Sequence, residues 1–111
     1  MKIIYEGPVV GITFEPAKSN FRKLIKYLKS LPSEEIDPQI LLVPDPKNKF
    51  DPNAIRVSIQ QGEENFEIGW VPTTHNATVL GVGIGKIQTD LLRFNIMDET
   101  IAGATIRIRV I

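Results

Sequence analysis

Val43-Pro44-Asp45-Pro46-Lys47-Asn48-Lys49-Phe50-Asp51-Pro52-Asn53-Ala54-Ile55-Arg56-Val57 is the stretch from which the architecture can be read. Pro44, Pro46 and Pro52 fix their own φ at about −65° and push the residues before them into extended geometry, so the polar groups between them are held in place. The chain then alternates: Ile55, Val57 and Ile59 fall on one side of a strand, Arg56 and Ser58 on the other. A rigid polar loop mounted on a sheet is a common seat for binding residues.

Working outward, Phe66 to Val71 supplies a second strand across the turn at residues 60–65, and the two are expected to form a hairpin. Gln39 to Val43 reads as a strand buried on both faces. Ile3 to Tyr5 and Val9 to Phe14 read as two strands around the Gly7-Pro8 break, with Val10, Ile12 and Phe14 sharing a face. Lys86 to Met97 and Ala104 to Ile111 add two longer strands across an Asp98-Glu99 turn. Ser19 or Asn20 is expected to cap a helix reaching about Leu31, in which Phe21, Leu24, Ile25, Leu28 and Leu31 make one apolar stripe. Pro72 stops a strand, and Thr73 or Thr74 starts a short helix carrying Ala77, Val79 and Leu80. Residues 32–38 form a polar connector, and no repeat or second domain is visible. The expectation is a single mainly β domain over residues 1–111, with about six strands in a small closed sheet or barrel.

Bulk properties agree with that class. A chain of 111 residues buries roughly two-thirds of the surface its unfolded form exposes. Eight prolines and eight glycines favour turns over long helices. The absence of cysteine excludes a disulfide framework, a thiolate zinc site and a cysteine nucleophile, and points to a cytoplasmic, intracellular setting. No apolar run is long enough to cross a bilayer, and Met1 to Glu6 is too short and too quickly charged for a signal peptide, so no membrane partner is expected. Thirteen basic residues balance thirteen acidic ones, so any nucleic-acid binding must be local.

Catalytic readings find little support. His75 is the single histidine, and its Thr73-Thr74-His75-Asn76 setting reads as a solvent-facing helix start. Gly81 to Gly85 lacks the Lys-Ser/Thr that follows a phosphate-cradling loop, so flexibility is its expected role. Asp45, Asn48, Asp51 and Asn53 offer clustered oxygens, but they lack calcium-loop spacing and its glycine; the plainer reading is that they bond to nearby backbone amides. No metal, cofactor or enzymatic activity is expected. Lys18, Arg22, Lys26 and Lys29 lie along one flank of the first helix, where a solvated face competes with phosphate contact. Trp70, alternating with Ile68 and Phe66, reads as core, with a base-stacking platform as the alternative.

Val10-Gly11-Ile12-Thr13-Phe14, the Asn48-to-Val57 string, Ile68-Gly69-Trp70-Val71-Pro72 and the spaced Ala77 together resemble the HIRAN domain. That module stands at the amino terminus of helicase-like transcription factor remodellers and occurs as stand-alone proteins in bacteria and phages. The resemblance covers about residues 9–111 apart from one insertion. It implies a modified OB- or SH3-like barrel of six strands, capture of the 3′ end of single-stranded DNA, and a place in DNA repair. It matches the aspartate that receives the terminal 3′-hydroxyl to Asp51, its Asn and aromatic neighbours to Asn48 and Phe50, with Lys49 between them, and the base-stacking strand aromatic to Phe14. A carboxylate accepts a hydrogen bond from a hydroxyl and repels a phosphate, so such a site selects by charge as well as by shape.

The chain departs from the family at three rim positions. Thr13 stands where DNA-end-binding relatives place arginine, Trp70 where one has histidine, and Phe50 where tyrosine is expected. The basic helix is the inserted segment, and three roles are open to it: replacing the lost cation, covering a barrel edge, or docking a partner. The resemblance therefore implies a non-catalytic module for single-stranded DNA with a free 3′-hydroxyl, working beside a helicase or nuclease on a separate chain. The alternative is a protein-interaction module on the same scaffold, with the Asn48-to-Asn53 loop purely structural. In the first reading Asn48, Phe50 and Asp51 carry function while Asn53 and Ala54 form the fold.

Overall fold

The computed structural model describes residues 2–97 and 101–111. Six strands and two helices follow in the order β1 (Lys2–Pro8), α1 (Ala17–Ser30), β2 (Gln39–Pro44), β3 (Ile55–Gln61), β4 (Glu64–Trp70), α2 (Thr73–Val82), β5 (Ile87–Met97) and β6 (Ile101–Val110). They form two antiparallel sheets of three strands, β1-β6-β5 and β2-β3-β4, so β6 and β3 are the central strands. The expected Asp98-Glu99 turn lies outside the described residues.

Central position explains which side chains are buried. Ile55, Val57 and Ile59 of β3, Ile68 of β4, and Ala104, Ile106 and Ile108 of β6 are fully enclosed. α1 and α2 add Phe21, Leu24 and Val79, also fully enclosed. Leu42 and Ile40 point inward from β2, whereas Leu41 and Val43 are about 40% exposed. The expected two-sided burial of that strand is therefore corrected: β2 is an edge strand of an antiparallel sheet, with one face toward solvent. Outward-facing Arg107 and Arg109 of β6 pair with Glu6 and Asp90 on the two flanking strands, each at 2.8 Å.

Val9 to Phe14, expected as a strand, is a crossing between the sheets. The Val9 N–H donates to the Ala104 carbonyl of one sheet at 2.9 Å. Val10 then exchanges two backbone hydrogen bonds with Trp70 of the other, at 2.9 and 2.8 Å. Gly11 turns the chain at φ +81°, and the Phe14 N–H closes the turn on the Gly11 carbonyl at 3.1 Å. Ile12 is buried while Val10 and Phe14 are exposed, so the three do not share a face. The alternating letters suggested a strand, but a positive φ at Gly11 breaks the period of two.

Gly69 makes the crossing possible. At φ +155° it lies against the incoming backbone, and a Cβ there would collide with the Val10 carbonyl oxygen and Val9 Cγ1. Only glycine lets the two chains approach this closely.

α1 begins at Ala17, three residues earlier than a Ser19 cap would require. Ser19 lies inside the first turn, where its amide and hydroxyl donate to the carboxylate of Glu15. That acid satisfies one of the orphan amides of the helix start and takes over the capping role expected of Ser19. α1 ties the two sheets together: buried Phe21 meets Phe94 of β5 edge-on at 5.8 Å, and half-buried Tyr27 approaches Phe66 of β4 at 6.0 Å. Asn20 Nδ2 donates to the Glu67 carbonyl at 3.0 Å, fastening the helix along β4. α1 therefore lies along β4, an edge strand of its sheet.

Candidate nucleic-acid interface

Residues 45–54 form a loop whose polar side chains hold its own backbone. Its base is closed by the Asp45 N–H donating to the Ala54 carbonyl at 2.8 Å. Asn48 Oδ1 accepts the amides of both Phe50 and Asp51, at 2.9 and 3.0 Å, and its Nδ2 donates to Asp45 Oδ2 at 3.2 Å. Asp51 Oδ1 accepts the Asn53 amide at 2.8 Å, and its carbonyl accepts the Ala54 amide at 3.0 Å. These are side-chain mimics of backbone turns, which Asn and Asp make because their polar atoms reach an amide two or three residues on.

A second layer supports the loop from outside. Asn76, enclosed in α2, donates Nδ2 to Asp51 Oδ2 at 3.0 Å, so both carboxylate oxygens are oriented. Its own Oδ1 is buried without a partner among the described residues. Arg56 of β3 reaches Asp45 at 3.5 Å and Glu67 at 2.9 Å, and its guanidinium lies 5.9 Å from the Trp70 ring centre. Glu67 foremost, then Asp45, holds that guanidinium more firmly protonated than a free arginine. Trp70 is half-buried between Arg56 and the Gly11 turn, where a Cβ on Gly11 would stand 2.9 Å from its Cδ1. It serves as a pillar, with less open face than a free platform.

The arrangement leaves two aromatics uncovered. Phe50 is 97% exposed at the tip of the locked loop, beside exposed Lys49. Phe14 is 73% exposed on the Gly11 turn, next to exposed Thr13. A single run of contacts therefore joins Asn76, Asp51, Asn48, Asp45, Arg56, Trp70 and Gly11; Phe50 branches from it at Asn48, and Phe14 follows Gly11 at its far end. Lys18, Arg22, Lys26 and Lys29 are exposed on α1, whose first turn is linked to Phe14 by the Lys18 N–H donating to the Phe14 carbonyl at 3.0 Å. Lys29 lies about 16 Å further along the axis than Lys18.

Asn48 and Asn53 differ in what their side chains hold. The Asn48 side chain holds the loop's shape, whereas the Asn53 side chain is exposed and forms no hydrogen bond among the described residues. Asn76 and Arg56 are supports of the loop that the sequence reading does not foresee. Asn76 carried a legible signal, a poor helix former placed in a short helix between Ala77 and His75, while the reach of Arg56 depends on strand register. His75 is half-buried against Tyr5, ring centres 4.6 Å apart, rather than solvent-facing. Among the described residues no group of three or more acidic or histidine side chains is placed to hold a metal ion. No described helix is long and apolar enough to cross a membrane.

Comparison of the chain with protein-family models, with curated proteins and with solved structures gives no match.

Proposed function

We propose that this chain is a HIRAN-type module that holds the free 3′-hydroxyl end of single-stranded DNA on the loop at residues 48–51 and performs no chemistry of its own. The exposure of Phe50 carries the reading. Burying a phenylalanine is worth about 1.5–3 kcal/mol, and here the ring is held in solvent on a backbone that Asn48 keeps rigid. A preorganised ring gains roughly 1–3 kcal/mol per base by stacking, with little ordering cost. Phe14 offers a second such ring.

Asp51 supplies selectivity. Each of its oxygens accepts one hydrogen bond and keeps a second lone pair, so a terminal hydroxyl can still donate to it. A terminal phosphate meets the negative charge instead. The two sheets are read as halves of an OB- or SH3-like barrel, linked where Val9 and Val10 pass from Ala104 to Trp70. Such a module acts inside the cell beside a helicase or nuclease on another chain, in DNA repair.

A second reading, a protein-interaction module, draws on the same hydrogen bonds: Asn48 and Asp51 are already engaged in shaping the loop. Fluorescence anisotropy with short labelled oligothymidylates separates the two. Phe50→Ala is expected to weaken binding about fivefold to a hundredfold, the equivalent of one stacked base, while leaving the melting temperature within a degree or two. Unaltered affinity in Phe50→Ala, or no binding by the unaltered protein at low salt, favours the protein-interaction reading.

A further inference from the structure

We infer that α1 is a rail for the phosphates of the strand whose end the loop holds, so that the inserted helix supplies the electrostatic part of binding. The inference rests on the proposed function only in taking the ligand to be a nucleic-acid strand. Five cations, Lys18, Arg22, Lys23, Lys26 and Lys29, lie on this helix and no acid does, in a chain where basic and acidic residues are equal in number. The rest of the surface is accordingly net acidic. All five are exposed, and the ion pairs of the described residues use Arg56, Arg107 and Arg109 instead.

The placement is directional. At 3.6 residues per turn, Lys18, Arg22, Lys26 and Lys29 fall within about 80° of one another around the axis. They form a straight stripe about 16 Å long, beside the face that buries Phe21, Leu24 and Leu28. The stripe starts one turn from Phe14, so an exposed aromatic passes directly into a row of cations. Stacking surface followed by a charged track is how single strands are held without regard to sequence. Glu15 sits at the entrance, hydrogen-bonded to Ser19 and also within the field of Lys18 and Arg22.

Two other polyanions fit less well. An amphipathic helix binds a membrane surface by inserting its apolar face, and that face of α1 is already enclosed by the sheets. An acidic protein would need an irregular arrangement of carboxylates matched to an evenly spaced row, which a phosphodiester backbone offers by its repeat.

The test is anisotropy with labelled oligothymidylates of 3 to 16 nucleotides, ending in 3′-hydroxyl or 3′-phosphate, across a salt series. For the unaltered protein, affinity should climb with length and level off once the strand covers the stripe, within the roughly 4–16 nucleotides that single-strand sites of this size span. Arg22→Ala with Lys26→Ala should lower the log–log salt slope by about 1.4 and weaken binding about 25-fold at 0.1 M salt, equally for both kinds of end. An unchanged slope in that variant overturns the rail, as does a trinucleotide binding as tightly as the 16-mer. Tighter binding of phosphatidylserine vesicles or polyglutamate than of oligonucleotide, lost in the same variant, overturns it in favour of another polyanion. Equal affinity for the two ends with the slope change intact would instead remove end selectivity from the loop and leave the rail standing.

Discussion

Asp51 and Asn76 form the contact on which the loop's geometry turns. Asn76 is 2% exposed and gives its amide hydrogen to a carboxylate, a type of bond worth about 1.5–3 kcal/mol. Asn76→Ala is expected to lower stability by about 1–2 kcal/mol in urea unfolding, because relief of its unpartnered Oδ1 offsets part of the loss. A change within 0.5 kcal/mol, or no coupling with Asp51→Ala in a double-mutant cycle, would show the bond to be idle. Gly69→Ala should be harsher. The new Cβ meets backbone at a strained φ, so a loss of about 3 kcal/mol or more is expected, and wild-type stability in that variant contradicts the close crossing. Neither cost was legible in the letters: Gly69 sat in an Ile-Gly-Trp string whose meaning came from resemblance, and the demand for glycine comes from Val9 and Val10, about sixty residues earlier.

The elements were easier to read where one period governed them. β3, β5 and α1 fall close to their expected ranges because alternation or a helical stripe runs through most of each, although β5 shifts register between Leu91 and Arg93 and Ser58 of β3 is buried. The failures share a cause, contact with a distant segment: Val9 to Phe14 is split between Ala104 and Trp70, and β2 lacks a second covering layer. The start of α1 moved because Glu15 supplied the capping oxygens. Hydrogen bonds from the Ser19 hydroxyl and amide, in that order, hold the Glu15 carboxyl below the usual carboxylate range. A depressed pKa means the contact adds stability above the unfolded value and loses it as pH falls through the lower, folded one. The Ser19 amide resonance should therefore titrate with a midpoint below that of free glutamate, and the shift should vanish in Glu15→Gln. A midpoint at or above the ordinary glutamate value would contradict the bond.

Taken together, the chain is a neutral β protein divided by charge and by rigidity: a cationic helix fastened across two sheets, and a locked loop presenting one bare phenyl ring and one oriented carboxylate. The loop's polar composition and prolines were visible in the sequence; that Asn48 shapes it and Asn53 does not was fixed only by which amides lie within reach. Charge at Asp51 is the point at which this account is most exposed, and Asp51→Asn isolates it. The replacement is isosteric, and the free Oδ1 of Asn76 can accept from the new amide once the Asn76 side chain turns over, so the loop keeps its shape. The deciding measurement is the ratio of dissociation constants for an oligothymidylate ending in 3′-phosphate or 3′-hydroxyl, with and without Asp51→Asn. The unaltered protein should prefer the hydroxyl end, and the variant should lose about fivefold of that preference, the worth of about 1 kcal/mol between charges in water. Equal affinity for both ends in the unaltered protein, or a preference untouched by Asp51→Asn, would contradict the account.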